Sequence, residues 1–303
     1  MDEQTTQAEV ADDTAAVRAA LPPRFKWLLA ATFAGAFLFL LVTIGYVHLG
    51  HIASRRLEAQ MLAQGYAQRI QERVQTALVS TYVLANTVKQ SRGDLRNFND
   101  VAGELLSLFP GVSALQLAPD GVIQEIYPLK GNEAAIGHDL LQDRKRNRDA
   151  VVAVTTGQLT LAGPFNLIQG GLGAVGRLPV FLTNEQGERY FWGFAIALIR
   201  IQSLIESVGL PALTKSGYQY QLWRTHPETE KREVFASSGD KPLDDPVEYV
   251  ITIFNGHWIL SLSPESGWVT IHDYLEIFGL ALLGALIVTL LQHIGLRVLL
   301  RER

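Results

Sequence analysis

Two long apolar segments, one near each end, constrain this chain more than any other feature. Residues 27–46 contain no charged residue, and residues 277–296 form a second run of similar length, broken only by Gln292 and His293 near its end. Each run matches the ~20 residues that an α-helix needs to cross the hydrocarbon core of a bilayer. A buried core helix is the alternative, but charge bounds both runs. The sequence therefore predicts two transmembrane helices and a lipid bilayer as a partner.

The charges beside these runs predict their orientation. Basic residues flank the ends that face the two termini: Arg24, Lys26, Arg297, Arg301 and Arg303. Asp273 and Glu276 lie on the opposite side of the second run, whereas Arg55 and Arg56 lie on the same side of the membrane as these acidic residues and weaken the assignment from the first run. The second run decides it. We expect cytoplasmic termini, a domain at 50–272 in the periplasm, and a two-span protein of the inner membrane.

Composition excludes several functional classes. The 303 residues carry a net charge of −4 and no cysteine, which argues against a nucleic-acid partner and excludes disulfides and cysteine-bound zinc. The seven histidines lack the spacing with glutamate that metal hydrolases use, and no nucleophile turn of the G-x-S-x-G type is present. We therefore predict no metal, no cofactor and no catalytic activity in this chain.

A glycine-rich segment, residues 171–176, matches the dinucleotide fingerprint G-x-G-x-x-G. Nucleotide binding by this motif requires a helix directly after it. A strand that contains Pro179 follows instead. The segment is better interpreted as a flexible hairpin beside a pocket.

A helical stretch at about 52–90 follows the first apolar run. Its apolar and small residues recur at alternating steps of four and three: Ala63, Ala67, Ile70, Val74, Ala77, Thr81, Leu84 and Val88. Such a seam either covers the sheet of its own module or pairs with a second copy. We favour a homodimer. The candidate stalk contacts are Ile70, Val74, Ala77, Thr81, Leu84 and Val88.

Short strands dominate the rest, with turn residues between them. The predicted strands are 112–118, 122–127, 159–168, 175–183, 190–199, 218–225, 232–237, 247–254 and 257–262. Residues 143–156 are predicted to form a helix with a solvated basic face of Arg144, Lys145, Arg146 and Arg148. The fold class is α+β: two transmembrane helices flank a long stalk helix and two tandem PAS-like antiparallel α+β units.

The expected domain boundaries follow from these elements. They are a disordered cytoplasmic tail (1–24), the first transmembrane helix (25–49), the stalk helix (50–92), a membrane-distal unit (93–208), a membrane-proximal unit (209–271), the second transmembrane helix (272–296) and the cytoplasmic start of a linker (297–303).

Several segments together resemble the CHASE domain, over about residues 55–270. They are 108–112, 115–122, 126–133, 161–165 and 176–181. The resemblance implies an extracytoplasmic input module of receptor histidine kinases, diguanylate cyclases or cyclic di-GMP phosphodiesterases, with a stalk helix, two PAS-like units and a dimeric state. In the cytokinin-receptor branch the distal unit binds an adenine-type ligand. Gln124 and Ala162 stand where that branch has an acid and a hydroxyl, so the ligand of this chain is left open.

The candidate ligand contacts are chosen from the resemblance and from the alternation of residues along the strands of the distal unit. They are Leu117, Gln124, Ile126, Tyr127, Leu161, Ala162, Phe165, Leu178, Phe181 and Phe194. Alternation is expected to place Leu115, Leu117, Ile126, Leu161, Phe165, Leu178, Val180, Phe194 and Ile196 on one inward face.

The sequence predicts a sensor that binds a small molecule outside the membrane and signals through the second span to a histidine kinase or cyclic di-GMP enzyme. No kinase or cyclase motif precedes Arg303, so the output is expected on a longer form of the chain or on a separate partner. The alternative is a bitopic scaffold protein whose outer domain binds a protein partner.

Overall fold

The computed structural model describes residues 23–144 and 146–301. Most of the predicted cytoplasmic tail, Lys145 and the last two residues lie outside the described residues. Within them the chain forms two compact units, one made of residues up to Arg55 and from Val269 onward, the other Arg56–Trp268.

The helices and strands have the following bounds. The helices are α1 (Pro23–Gln90), α2 (Phe98–Leu108), α3 (Arg148–Thr156), α4 (Ile201–Ser207), α5 (Ala212–Lys215) and α6 (Ile271–Arg301). The strands are β1 (Ala114–Pro119), β2 (Glu125–Tyr127), β3 (Thr160–Asn166), β4 (Leu172–Thr183), β5 (Arg189–Arg200), β6 (Tyr218–Thr225), β7 (Arg232–Ser237), β8 (Val247–Ile253) and β9 (Gly256–Pro264). A 3-10 turn spans Glu133–Ala135.

Two of these helices, α1 and α6, are long and apolar enough to cross a membrane. In the first unit they pack against each other through small residues. Ala281 and Ala285 are fully buried, and a Cβ added at Gly284 would lie 2.6 Å from Leu40 Cδ1. Phe37 and Phe278 pack edge to face with ring centroids 5.4 Å apart. Small residues at a helix contact, here those of α6, are typical of helix pairs in membranes.

The second unit contains two antiparallel sheets in tandem. The sheet of the predicted membrane-distal unit, called the distal sheet, has five strands in the order β2-β1-β5-β4-β3. The sheet of the predicted membrane-proximal unit, called the proximal sheet, has four in the order β7-β6-β9-β8. The predicted fold class, with apolar helices at the ends and two PAS-like antiparallel units between them, is confirmed. The predicted domain boundaries themselves stay a prediction.

The stalk part of α1 covers one face of the distal sheet. A Cβ added at Gly176 in β4 would lie 2.0 Å from Leu78 Cδ2, and the Leu78 side chain is fully buried. Gly176 pairs with Ala197, which pairs with Leu115, and residues paired across strands share a face. The face that carries Leu115, Gly176 and Ala197 therefore packs on the helix, and the opposite face is free to build a site.

Substitutions at the Gly176–Leu78 contact test this packing. We expect Gly176→Ala to lower the free energy of unfolding by about 2 kcal/mol, because the added methyl group overlaps Leu78. Leu78→Ala alone should lose about 3 kcal/mol by opening a cavity. The loss of unfolding free energy in the double variant should be smaller than the sum of the two single losses by at least about 1 kcal/mol, since alanine at 78 makes room for the methyl group. The measurement is urea unfolding of the full chain, and strict additivity would contradict the contact.

Candidate functional site

A row of buried residues crosses the face of the distal sheet that lies opposite the stalk. Gln116, Ile196 and Arg177 are register partners on β1, β5 and β4, and Thr160 of β3 pairs with Arg177. All four are almost fully buried. Three polar side chains thus share a buried face with an isoleucine, which requires each of them to find a partner.

A small cavity of about 30 Å³ lies against this row. Its walls come from the sheet, from the 3-10 turn and the segment after it, and from the β3–β4 turn. They are Gln116, Ile123, Ala135, His138, Leu140, Arg146, Phe165, Leu167, Ile168, Gln169, Val175, Arg177 and Leu198. The glycine-rich segment begins at the end of this turn, at Gly171. Mostly apolar walls with a few inward polar groups are the usual composition of a ligand pocket.

Charged groups gather at one side of the cavity. His138 Nε2 lies 3.4 Å from Asp143 Oδ2, and Arg146 Nε lies 3.7 Å from the same oxygen. The Arg146 guanidinium also stands over the Phe165 ring, 5.5 Å from its centroid. Burial lowers the pKa of His138 despite the opposing effect of Asp143, so its imidazole is neutral at pH 7.

The predicted basic face of 144–148 is corrected by this geometry. The helix α3 begins at Arg148, so Arg146 precedes it and lines the cavity instead of lying on a solvated helix face. Arg148 donates from Nη1 to the Pro227 carbonyl oxygen at 3.0 Å. The buried residues of α3, Ala150 and Ala153, belong to the core cluster on the cavity side of the sheet.

The ten candidate ligand contacts are distributed over several places. Phe165 lines the cavity, and Ile126 and Phe194 belong to the core cluster beside it. Leu117 and Leu178 both pair with Ala195, which places them on the opposite face, towards the stalk. The prediction of a single inward face was therefore wrong, because Leu115, Leu117 and Leu178 alternate with the cavity residues.

The other five candidates do not line this cavity. Gln124 is exposed, and Ala162 is buried in β3. Tyr127 lies beside α2, where a Cβ at Gly103 would be 3.4 Å from its hydroxyl. Phe181 packs edge to face on Phe191 at 5.8 Å. Leu161 lines a second cavity, where the distal and proximal sheets meet. Ligand contact by any of the ten stays a prediction.

The six stalk candidates are buried within the single chain. Ile70, Val74, Ala77, Thr81, Leu84 and Val88 have almost no exposed surface. The alternative interpretation of the seam, a stripe that covers the module's own sheet, describes this packing. Self-association stays a prediction, and through these residues it would require the helix to leave the sheet.

The candidates from sequence did not include three residues that line the cavity: Gln116, Arg146 and Arg177. One signal was present for Arg177: it is the only charged residue in the long strand 172–183. Arginine side chains are mostly exposed, so a lone charge inside an apolar strand does not by itself distinguish a buried functional group from a solvated one. Strand alternation could not decide between these because both faces of β4 are covered.

The proximal sheet holds the strand that carries Phe165. Arg224 of β6 donates from Nη1 to the Gly163 carbonyl oxygen and from Nη2 to that of Pro164, the latter at 3.0 Å. Asn255, in the β8–β9 turn, accepts from Leu161 N at 2.7 Å and donates to Leu161 O at 3.3 Å. The Arg224 contacts fall where the register of β3 shifts between Ala162 and Phe165, and the Asn255 contacts fall just before that shift.

No group of three or more histidine, aspartate or glutamate side chains in the described residues could hold a metal ion. What the distal cavity provides chemically is hydrogen-bond donors and positive charge in apolar surroundings. These are means of binding a small molecule.

Comparison with solved structures finds similarity of fold. An extracellular ligand-binding receptor from Desulfohalobium retbaense is similar in fold, with a TM-score of 0.53 and 15% identity over 68% of this chain and 40% of that receptor. This chain thus spans about 40% of the receptor's length. The sensory domain of the Campylobacter jejuni chemoreceptor Tlp3 matches with a TM-score of 0.49 and 11% identity, over 73% of this chain and 97% of that domain.

A search of curated proteins finds no match. The sequence model of the CHASE domain, in contrast, matches residues 52–234, which is more than half of the chain. The resemblance found in the sequence is confirmed, and the chain belongs to the CHASE domain family, with its sensor domain between two apolar helices.

Proposed function

We propose that this chain is a membrane-anchored extracytoplasmic sensor. It binds a small ligand in the distal unit and transmits a conformational signal through α6 to a cytoplasmic histidine kinase or cyclic di-GMP enzyme. The observation that carries the proposal is the cavity on the distal sheet, where Gln116, His138 and Arg177 converge within apolar walls. The extracellular ligand-binding receptor of similar fold supports it.

The proposal includes the orientation of the chain. Arg24 and Lys26 before the first span, with Arg297 after the second, favour cytoplasmic termini and a periplasmic domain.

A homodimer is also part of the proposal. Since the seam is buried, the second copy would pack on the exposed apolar residues Val79, Tyr82 and Val83 of α1.

A ligand can act as a signal only by binding one arrangement of the protein better than another. We propose that this difference in affinity acts where β3 contacts the proximal sheet. Phe165 lines the cavity, and the Gly163 and Pro164 carbonyl groups directly before it are held by Arg224 of the proximal sheet. A ligand that shifts β3 would therefore act on the proximal sheet, from which the chain continues into α6.

A matched pair of substitutions tests binding at this cavity. Ala135 is buried in its wall, whereas the neighbouring Ala134 is exposed on the same 3-10 turn. A metabolite library is screened by thermal shift against the full chain in lipid nanodiscs, and hits are measured by titration calorimetry. We expect Ala135→Leu to fill the cavity and weaken binding at least about 30-fold, the equivalent of about 2 kcal/mol. Ala134→Leu should bind as the unchanged protein does.

The competing function is the bitopic scaffold. If the folded chain binds nothing in the library, or binds with equal affinity after Ala135→Leu, direct sensing through this cavity is wrong. Capture of a specific partner protein by such a chain would then support the scaffold.

A further inference from the structure

Arg177 has a hydrogen-bonding capacity that its own protein does not use. The residue is 2% exposed. Its Nη1 donates to the Arg146 carbonyl oxygen at 3.1 Å, while its Nε is buried without a partner among the described residues. A guanidinium has five N–H donors, and a buried donor without an acceptor is costly. Such a group, in the wall of a cavity, indicates an acceptor that arrives from outside.

The positive charge of Arg177 is only partly balanced. Within the described ranges it forms no ion pair with a carboxylate. Asp143, the acidic residue beside the cavity, forms an ion pair with Arg146 at 3.7 Å and lies 3.4 Å from the neutral His138. Burial lowers the pKa of Arg177 to about 10, against the opposing effects of Asp149 and Asp143. The group is still charged at pH 7, and an anion would relieve the imbalance.

The remaining walls limit what this anion can be. Ile123, Leu140, Val175 and Leu198 surround the charged side of the cavity with aliphatic carbon. The volume of about 30 Å³ compares with the roughly 10–15 Å³ that one water molecule needs on the same measure. A ligand that fits has only a few non-hydrogen atoms, with one charged end and one apolar end.

We propose that the distal cavity binds a small monocarboxylate, with Arg177 Nε–H donating to a carboxylate oxygen. Gln116 lies on the same face to hydrogen-bond that end, and the aliphatic end lies against Phe165 and Val175. Phosphate shares the oxyanion chemistry, but its greater charge makes its transfer into apolar walls more costly. The inference rests on the proposed function, since it names the ligand class of the same cavity.

The experiment titrates the full chain in nanodiscs with acetate, propionate and butyrate at constant ionic strength. Propionamide, which is isosteric with propionate but neutral, and inorganic phosphate are the matched comparisons. We expect saturable binding of at least one carboxylate, and at least about tenfold weaker binding of the amide and of phosphate. Arg177→Met should weaken carboxylate binding about 100-fold, because charged hydrogen bonds contribute most in buried sites.

Two further variants separate this role from a structural one. Arg177→Lys keeps the charge but loses the planar donor fork, so an intermediate loss of about tenfold is expected. Arg189→Met removes an arginine of the same unit that stacks on Phe181, outside the cavity, and should bind carboxylates as the unchanged protein does. Circular dichroism checks folding, and if Arg177→Met does not fold, the lysine variant and the propionamide comparison decide.

Three results would overturn the inference. Phosphate that binds more tightly than every carboxylate would reassign the site to inorganic oxyanions. A library compound whose binding is lost with Ala135→Leu but kept with Arg177→Met would leave the sensor standing without an anion. Carboxylate binding unaffected by either Arg177 variant would place the anion elsewhere. If no compound binds at all, the proposed function itself fails.

Discussion

Gly193→Ala should destabilise the distal unit by about 4 kcal/mol, the sum of a strained backbone and a steric overlap. Gly193 lies in β5 with φ +149°, a conformation that residues with a side chain rarely adopt. An added Cβ would lie 2.2 Å from the Ala118 carbonyl oxygen and 2.7 Å from Pro119 Cα. Both are backbone atoms of the neighbouring strand, so no rotamer change can relieve the overlap.

The matched control is Gly187→Ala in the β4–β5 turn of the same unit. Gly187 also has a positive φ, +86°, but no atom lies within 4 Å of an added Cβ. Gly187→Ala should lower the free energy of unfolding by about 1 kcal/mol, because only the backbone conformation is unfavourable there. Urea unfolding of the full chain, followed by tryptophan fluorescence, measures both. Equal losses would show that β1 and β5 are not as close at Gly193 as the structure has them.

Local sequence signals predicted most of the elements but not their faces. Turn residues such as Pro119–Gly121 and Asn184–Gly187 separate strands whose predicted positions agree with β1, β4 and β5. Alternation then fails in β4, whose residues are buried almost without interruption. The reason is physical: one face of the sheet is covered by the stalk and the other by α3 and the loops around the cavity.

The candidate site was less predictable than the fold because it depends on register. Leu178 and Arg177 are neighbours in sequence, yet one lies towards the stalk and the other towards the cavity. The signal that assigns the faces is Gly176, since only a residue without a side chain lets Leu78 approach so closely. That contact joins positions about a hundred residues apart, which no local pattern can reveal.

The link between the two sheets can be tested without any ligand. Arg224 and Asn255 connect the proximal sheet to β3 by four hydrogen bonds, to the carbonyl oxygens of Gly163 and Pro164 and to the backbone N–H and carbonyl of Leu161. If these contacts carry the coupling, a disturbance in the distal unit should reach the proximal sheet only while they are intact. Gly193→Ala supplies the disturbance.

Hydrogen exchange of the full chain is the measurement. In the otherwise unchanged protein we expect Gly193→Ala to speed exchange in β8 and β9 about tenfold, because units that open together share their opening free energy. In a chain that also carries Arg224→Met and Asn255→Ala, Gly193→Ala should speed exchange in β4 and β5 as much as it does when Arg224 and Asn255 are present. In that chain Gly193→Ala should change the exchange rate of β8 and β9 by less than about twofold.

Arg232→Met is the control for removing an arginine from the proximal sheet. Arg232 lies on β7, with its guanidinium 4.2 Å from the Trp223 ring centroid and 3.6 Å from Glu248, all within that sheet. Its loss weakens the sheet without touching β3, so the response of β8 and β9 to Gly193→Ala should persist. A response that also persists without Arg224 and Asn255 would mean that the sheets are coupled through other contacts. In that case the cavity could not signal through β3 by the route that the hydrogen bonds indicate.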